Sequence, residues 1–273
     1  MNLLNLLDKM CPDTKSSSDE KELFYSRRDA FRQFGDMSKK VAMAAVPLGI
    51  LSSLPKVAKA DTASLIGVLN FALTLEHLEY RYYQMGIESG VIAGADQNIF
   101  MTIRDHELAH VKFLTEVIGN VLGGNPVAEP AFDFTAGGNF MPFSDYPTFL
   151  ALSQAFEDTG VRAYKGQAGN VMESDVVLTA ALSIHSVEAR HASMVRRLRT
   201  KKEQDTVKGW ITMGDRGTLP APTQAIYAGE ENVSHAGVNI VSLTGIDANA
   251  VSEGWDEPLS KEQVLGIASL FLA

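Results

Sequence analysis

The sequence predicts an all-α protein, a four-helix bundle of two helical hairpins with a long crossover between helices 2 and 3 and a C-terminal extension carrying a short helix. Three observations predict it. Apolar residues recur with a period near 3.6 along four long segments. Short turns containing glycine split those segments into two pairs. One stretch rich in glycine, proline and phenylalanine, residues 123–145, separates the pairs.

The first helix covers residues 62–89, where Leu65, Ile66, Leu69, Leu73, Tyr80 and Tyr83 build a broad inward face. Gly90, Ala93 and Gly94 mark a turn. The second helix runs from about Asp96 to Leu122 and stops at Gly123-Gly124-Asn125-Pro126. Residues 123–145 are expected to cross the bundle, packed by their four phenylalanines. The third helix spans about Asp145 to Gln167, with Pro147 tolerated in its first turn. Gly166, Gly169 and Asn170 form the next turn, and the fourth helix runs from about Glu173 to Arg199. Beyond it, GDRGTLPAPTQ reads as loop and AIYAGEENVSH as a short helix. Ser260-Lys261-Glu262-Gln263 reads as a capping box opening a terminal helix that packs on the bundle.

Composition narrows the function. The chain has 273 residues, a formal charge of -9, 45% apolar residues and a single cysteine, Cys11. That excludes a disulfide framework and a cysteine-rich zinc or iron–sulfur site. The apolar content argues against global disorder, and the negative charge disfavours nucleic acid as a partner. The charge is uneven: residues 1–60 carry +3, and residues 61–273 carry -12 with all six histidines. The expected division is therefore a leader over 1–60, a bundle over 61–200 and an extension over 201–273.

The leader has the three parts of an export signal in order: a basic run from Arg27 to Lys40, an apolar run from Val41 to Leu54, and Ala58-Lys59-Ala60 before Asp61. The apolar run is too short to span a bilayer. Ser26-Arg27-Arg28 with Phe31 resembles a twin-arginine signal, which implies export of an already folded protein to the periplasm or beyond. It departs from that pattern in placing Phe31 one position late and in having a long segment before the arginines. A retained amphipathic helix, lying on the body or on a membrane surface, is the alternative.

Six residues carry the chemistry: Glu76 in helix 1, Glu107 and His110 in helix 2, Glu157 in helix 3, Glu188 and His191 in helix 4. Glu107 follows Glu76 by 31 residues, and Glu188 follows Glu157 by 31. Each member of the second set lies 81 residues after its counterpart in the first, and Tyr83 maps onto Tyr164 by the same offset. The midpoints fall in or beside the two turns, so each glutamate sits roughly 15 residues, or about 22 Å, from its turn. All four then meet at one level. Each Glu-x-x-His pair spans about one helical turn and aims both side chains at one region. A lone pair of this kind is more often a surface ion pair. The whole set, buried and empty, would be ruinous, whereas two divalent ions balance four carboxylates. Oxygen and nitrogen donors suit iron or manganese.

These motifs resemble the ferritin-like superfamily pattern of Glu, Glu-x-x-His, Glu, Glu-x-x-His. The resemblance implies that Glu107 and Glu188 bridge the metals or lie between them, that Glu76 and Glu157 are terminal carboxylates, and that His110 and His191 are terminal nitrogens. NFALTLEHLEYRYY, the aromatic crossover and the tail WDEPLSKEQVLGIASLF further resemble exported ferritin-like proteins related to desiccation-related and stress-induced proteins. The ferritin-like resemblance implies oxidoreductase chemistry on O₂, peroxide or Fe²⁺. A non-catalytic or vestigial metal site in a protective protein is the alternative. Metal ions and a small oxidant are the expected partners, with no transmembrane span. A homo-oligomer is left open, and a large storage cage is not implied.

Among the remaining candidates, Glu79 competes with Glu76, one turn on, but only Glu76 obeys the 81-residue offset. Tyr83 and Tyr164 are either partners of the ligands or plain core aromatics. His185 is a candidate neighbour of the centre. His77 and His106 read as polar surface or interhelical residues, and His235 as a local partner of Glu231.

Overall fold

A computed structural model describes residues 59–202 and 204–273. The export-signal reading of the leader, with its amphipathic alternative, lies outside the described residues except at its last two positions, Lys59 and Ala60, which are helical.

Four long helices form the body: α1 (Lys59–Ser89), α2 (Gln97–Glu116), α3 (Tyr146–Ala168) and α4 (Asp175–Lys201). α1 packs along α2, and α3 along α4. The first hairpin turns at Gly90, whose φ of 73° is a left-handed conformation that a Cβ disfavours. α3 starts where the side chain of Asp145 accepts from the Thr148 amide at 2.9 Å, and α4 starts at the cap Ser174.

α2 ends differently from expectation. Its last turn, Val117–Val121, widens to π-helical spacing, with the Leu122 amide bonded to the Val117 carbonyl at 3.0 Å. Gly119 and Asn120 are weak helix formers, and the widening delivers the chain into the crossover. There Asn70 of α1 clamps it, donating to the Asn125 carbonyl at 3.0 Å and accepting from the Val127 amide at 2.7 Å.

The crossover is held by its aromatics. Phe134 and Phe143 close on Tyr82, which stacks on Phe149 at 5.0 Å and meets Phe156 edge-on at 4.9 Å. The chain's last residues then run along the crossover, with the Asp133 amide bonded to the Phe271 carbonyl and the Ala273 amide to that of Ala131.

The extension is less helical than expected over AIYAGEENVSH and more helical beyond it. AIYAGEENVSH contributes only the single turn α5 (Gln224–Tyr227), because the chain leaves the helix at Ala228 and turns back at Gly229 with φ 90°. Its end is a two-stranded hairpin, β1 (Ser234–His235) with β2 (Val238–Asn239), folded over Ala236-Gly237. Two further short helices, α6 (Ile240–Thr244) and α7 (Ala248–Ser252), follow. The capping box at Ser260 and Gln263 is present and opens α8 (Lys261–Ala268), which packs on α3.

What fastens the extension is a buried arginine. Arg162 of α3 donates to the carbonyls of Ile226, Ala228 and Glu257 and pairs with Glu230 at 2.7 Å. One turn on, the chain at Leu259 approaches α3 so closely that a Cβ on Gly166 would overlap the Leu259 carbonyl. Beside Arg162, Arg196 grips Asp158 with bonds of 2.9 and 2.6 Å, and Tyr227 donates to the same carboxylate at 2.6 Å. Among the described residues, no helix is long and apolar enough to cross a membrane.

Arg162→Ala leaves Glu230 buried without its cation and strips three carbonyls of their donor. It should lower unfolding stability by about 3–5 kcal/mol in a denaturant titration; a loss below about 1 kcal/mol would show the clamp to be incidental.

Candidate metal centre

Two apolar clusters fill the bundle, one around Tyr82, Phe100 and Phe149, the other around Leu69, Leu73 and Leu114. Between them lies a polar layer. Glu76, Glu107, Glu157 and Glu188 are all fully buried in it, and His110 and His191 nearly so. Each sits on the inward stripe of its helix, so the periodicity that buries leucines above and below also buries the carboxylates.

The structure brings these six residues together as two overlapping groups. Glu76, Glu107, His110 and Glu188 form one; Glu107, Glu157, Glu188 and His191 form the other, and within each group the donor atoms lie within 4.8 Å of one another. Glu107 and Glu188 belong to both. Glu107 places Oε2 2.9 Å from His110 Nδ1 and Oε1 2.8 Å from His191 Nδ1. Glu188 places Oε1 3.2 Å from His110 Nδ1 and Oε2 3.9 Å from His191 Nδ1. Glu76 Oε2 is 2.9 Å from His110 Nδ1, and Glu157 Oε2 is 3.4 Å from His191 Nδ1. Each shared glutamate thus turns one oxygen to each histidine, and each outer glutamate serves one side. This cluster of donors could hold a dinuclear metal centre.

The donor atoms fit that use. Glu107 Oε1, Glu157 Oε2, both oxygens of Glu188 and His191 Nδ1 are buried and make no hydrogen bond, although several are within 3.5 Å of one another. Donor atoms this close that are not aligned to bond each other could each take a place around an ion. Buried polar atoms otherwise find partners.

The outer oxygens are held from behind. Tyr83 of the first hairpin donates to Glu157 Oε1 of the second at 2.5 Å, and Tyr164 of the second donates to Glu76 Oε1 of the first. The two tyrosines related by the 81-residue offset therefore cross the bundle and tie each hairpin to the other. Both phenols are pushed well above their ordinary range by burial and by the carboxylates they face.

His106 is interhelical, one of the two readings the sequence offered, but its partner was not foreseen. His106 Nδ1 lies 2.9 Å from His191 Nε2, with the two rings nearly parallel. The contact holds the far nitrogen of His191 and leaves Nδ1 for the cluster. The available signal was the i,i+4 spacing of the two histidines in HELAH, which places His106 one turn from His110. Glu79 is buried beside the cluster but belongs to neither group. His185 lies away from it, against Val161 and Asp256. His77 sits under the crossover near Val127 and Glu129. The expected pairing of His235 with Glu231 is not formed: Glu231 accepts from the Gly229 amide, and His235 is 3.7 Å from Glu257 and edge-on to Trp255. The hairpin at Ser234–His235 turns His235 towards the segment before α8.

Residues 64–201, which contain all six clustered residues, match the family model of the ferritin-like domain. The chain belongs to the ferritin-like domain family. No curated protein matches it. Membership accounts for the two hairpins and the crossover; the extension after 201 lies outside the match.

The electrostatics of this ferritin-like cluster favour protons until something replaces them. Burial, partly offset by His110, pushes the Glu76 carboxyl up to about 7. Burial and the neighbouring carboxylates push Glu188 far up, and burial raises Glu157. Glu107 goes the other way: burial opposes its charge, but His191 and His110 on its two sides hold it below the usual carboxylate range. Both histidines are raised despite burial, His110 first by Glu76 and His191 first by Glu157.

Divalent ions must therefore displace protons. Glu76, pushed up to about 7, releases its proton as pH climbs from 6 to 8, so metal affinity should strengthen over that range. Calorimetric titration with Mn²⁺ in buffers of different ionisation enthalpy should show protons released on binding; pH-independent affinity without proton release would contradict this.

Proposed function

We propose that the chain binds a dinuclear iron or manganese centre through Glu76, Glu107, His110, Glu157, Glu188 and His191 and uses it as an oxidoreductase on O₂, peroxide or Fe²⁺. The observation that carries the reading is the sharing of Glu107 and Glu188 between two donor groups inside a sealed core. Carboxylate and imidazole donors without sulfur favour iron or manganese over softer ions. When bound, the pair supplies electrons to a small oxidant at a site closed to bulk water.

The chain's residues have distinct tasks. Glu107 and Glu188 set the spacing, because each fixes one oxygen towards each histidine. Tyr83 and Tyr164 fix the outer carboxylates, each donating its proton to a glutamate oxygen. His106 orients the His191 ring. The apolar clusters on either side exclude water and keep the carboxylates sensitive to local charge.

We further infer export to the periplasm or beyond, from the arginine pair and apolar run of residues 26–54, and kinship with stress- and desiccation-related proteins, from NFALTLEHLEYRYY, the aromatic crossover and the tail WDEPLSKEQVLGIASLF that contains α8. In that setting a metal that only stabilises the fold is the second reading. The anchoring of the extension by Arg162 supports it, since a protective protein gains from rigidity.

Protein purified from its native compartment should hold both metals and either consume O₂ with Fe²⁺ or break down hydrogen peroxide. Retention of both metals with neither turnover would favour the stabilising role. Glu107→Ala removes a ligand common to both groups and should abolish paired binding by elemental analysis, whereas Glu76→Ala should weaken mainly one ion. A Glu107→Ala protein that keeps both metals would overturn the ligand assignment.

A further inference from the structure

The two hairpins obey the 81-residue offset at Glu76 and Glu157, at Tyr83 and Tyr164, and at both Glu-x-x-His pairs. They break it at Glu79, whose counterpart is Gly160. The break is structural as well as chemical. A Cβ built on Gly160 would lie 3.0 Å from Glu79 Oε1 and 3.4 Å from Glu188 Oε2. Glu79 therefore occupies the side of α3 that Gly160 leaves bare, and reaches the shared glutamate of the cluster. It is 3% exposed. The charges that surround it are Glu188, Glu157, Glu107 and Glu76, and no described residue donates a hydrogen bond to it.

Glu79 and Gly160 line a small, partly open pocket with about 20 Å³ of space, more than the least that one water needs. Its walls are apolar: Leu75 and Phe156 from the bundle, Ile267 and Ala268 from α8 of the extension. Thr159 also borders it, but its hydroxyl is already given to the Ala155 carbonyl at 2.7 Å. Thr159 can then only accept, and the Glu79 carboxyl is the larger polar group in the lining. Walls of this kind cannot replace the water shell of a divalent cation. They suit a small neutral molecule that is apolar, as dioxygen is, or that finds a hydrogen-bonding partner in one polar group, as hydrogen peroxide can. A second apolar groove, lined by Ala72, Ala163 and Ala181, reaches the cluster only at Tyr164, whose hydroxyl is committed to Glu76.

We propose that the cavity between α1, α3 and α8 seats the small neutral oxidant, dioxygen or hydrogen peroxide, against Glu79 and admits it to the centre on the Glu188 side, with the C-terminal extension forming the outer wall of the route. The proposal rests on the dimetal reading given above. It assigns Glu79 as a positioning residue outside the ligand set.

Xenon-pressurised crystals of the metal-loaded full chain test the cavity, and stopped-flow oxidation of the reduced centre by O₂ and by peroxide tests the route. Xenon should occupy the parent cavity beside Glu79 and be absent from Ile267→Trp and from Ala268→Leu. Both variants should keep both metals while their second-order oxidation constants fall about tenfold. Ala72→Leu, in the other groove, should oxidise at the parent rate. Glu79→Gln should keep both metals and raise the peroxide concentration needed for half-maximal rate. An empty parent cavity, plugged variants that oxidise as fast as the parent, an Ala72→Leu protein slowed as much, or loss of a metal from Glu79→Gln would each overturn the proposal. A chain that loads no metal pair would overturn the dimetal reading together with it, whereas a loaded chain with unchanged rates would overturn the proposal alone.

Discussion

Four carboxylates set at one level of a helical core repel one another, and burial removes the water that would screen them. Everything else in this bundle is arranged around that repulsion. Two imidazoles face the carboxylates from α2 and α4, and two phenols brace the outer pair from across the bundle. Apolar clusters above and below hold the layer in register. A protein would gain little from such a layer if it stayed empty, since leucines at the same positions would stabilise the core without the penalty. Retaining glutamates there makes the fold dependent on protons or on cations, and the shared orientation of Glu107 and Glu188 suits a pair of cations.

The scaffold can bear this load because the crossing tyrosines make the hairpins interdependent. Tyr83 and Tyr164 each leave their own half to bond the other half's glutamate, so neither hairpin completes its donor set alone. A second polar layer on the outer side of α3, built from Asp158, Arg162, Arg196, Tyr227 and Glu230, fastens the extension. Here every charge has an opposite partner close by, in contrast to the uncompensated carboxylates of the centre. The same helix therefore carries paired charges on one side, with only Glu230 Oε2 of that network left without a hydrogen bond, and on the other a cluster whose carboxylates outnumber its imidazoles.

Much of this was legible in the sequence because it is periodic. Helical spacing placed Glu76, Glu107, His110, Glu157, Glu188 and His191 on inward stripes, and the 81-residue offset put them at a common height. The cap at Asp145 and the box at Ser260 are local signals, readable within four residues. What escaped reading depends on contacts between distant segments or on breaks in the repeat. His106 acquires its role only because α4 brings His191 alongside, and its counterpart, Val187, cannot do the same. Arg162 looks like any helical arginine until residues 226–257 fold over it. The hairpin at Ser234–Asn239 hides in a segment whose composition tolerates helix. The halves are thus alike where ions would be held and unlike where a ligand ring is oriented and an approach is left open.

The most direct test of the central claim is anomalous diffraction at the iron and manganese edges from crystals of the natively loaded protein. Two peaks about 3.5–4 Å apart, both touched by Glu107 and Glu188 and each touched by one histidine, are the predicted result. A single peak, or two peaks with no carboxylate in common, would contradict it.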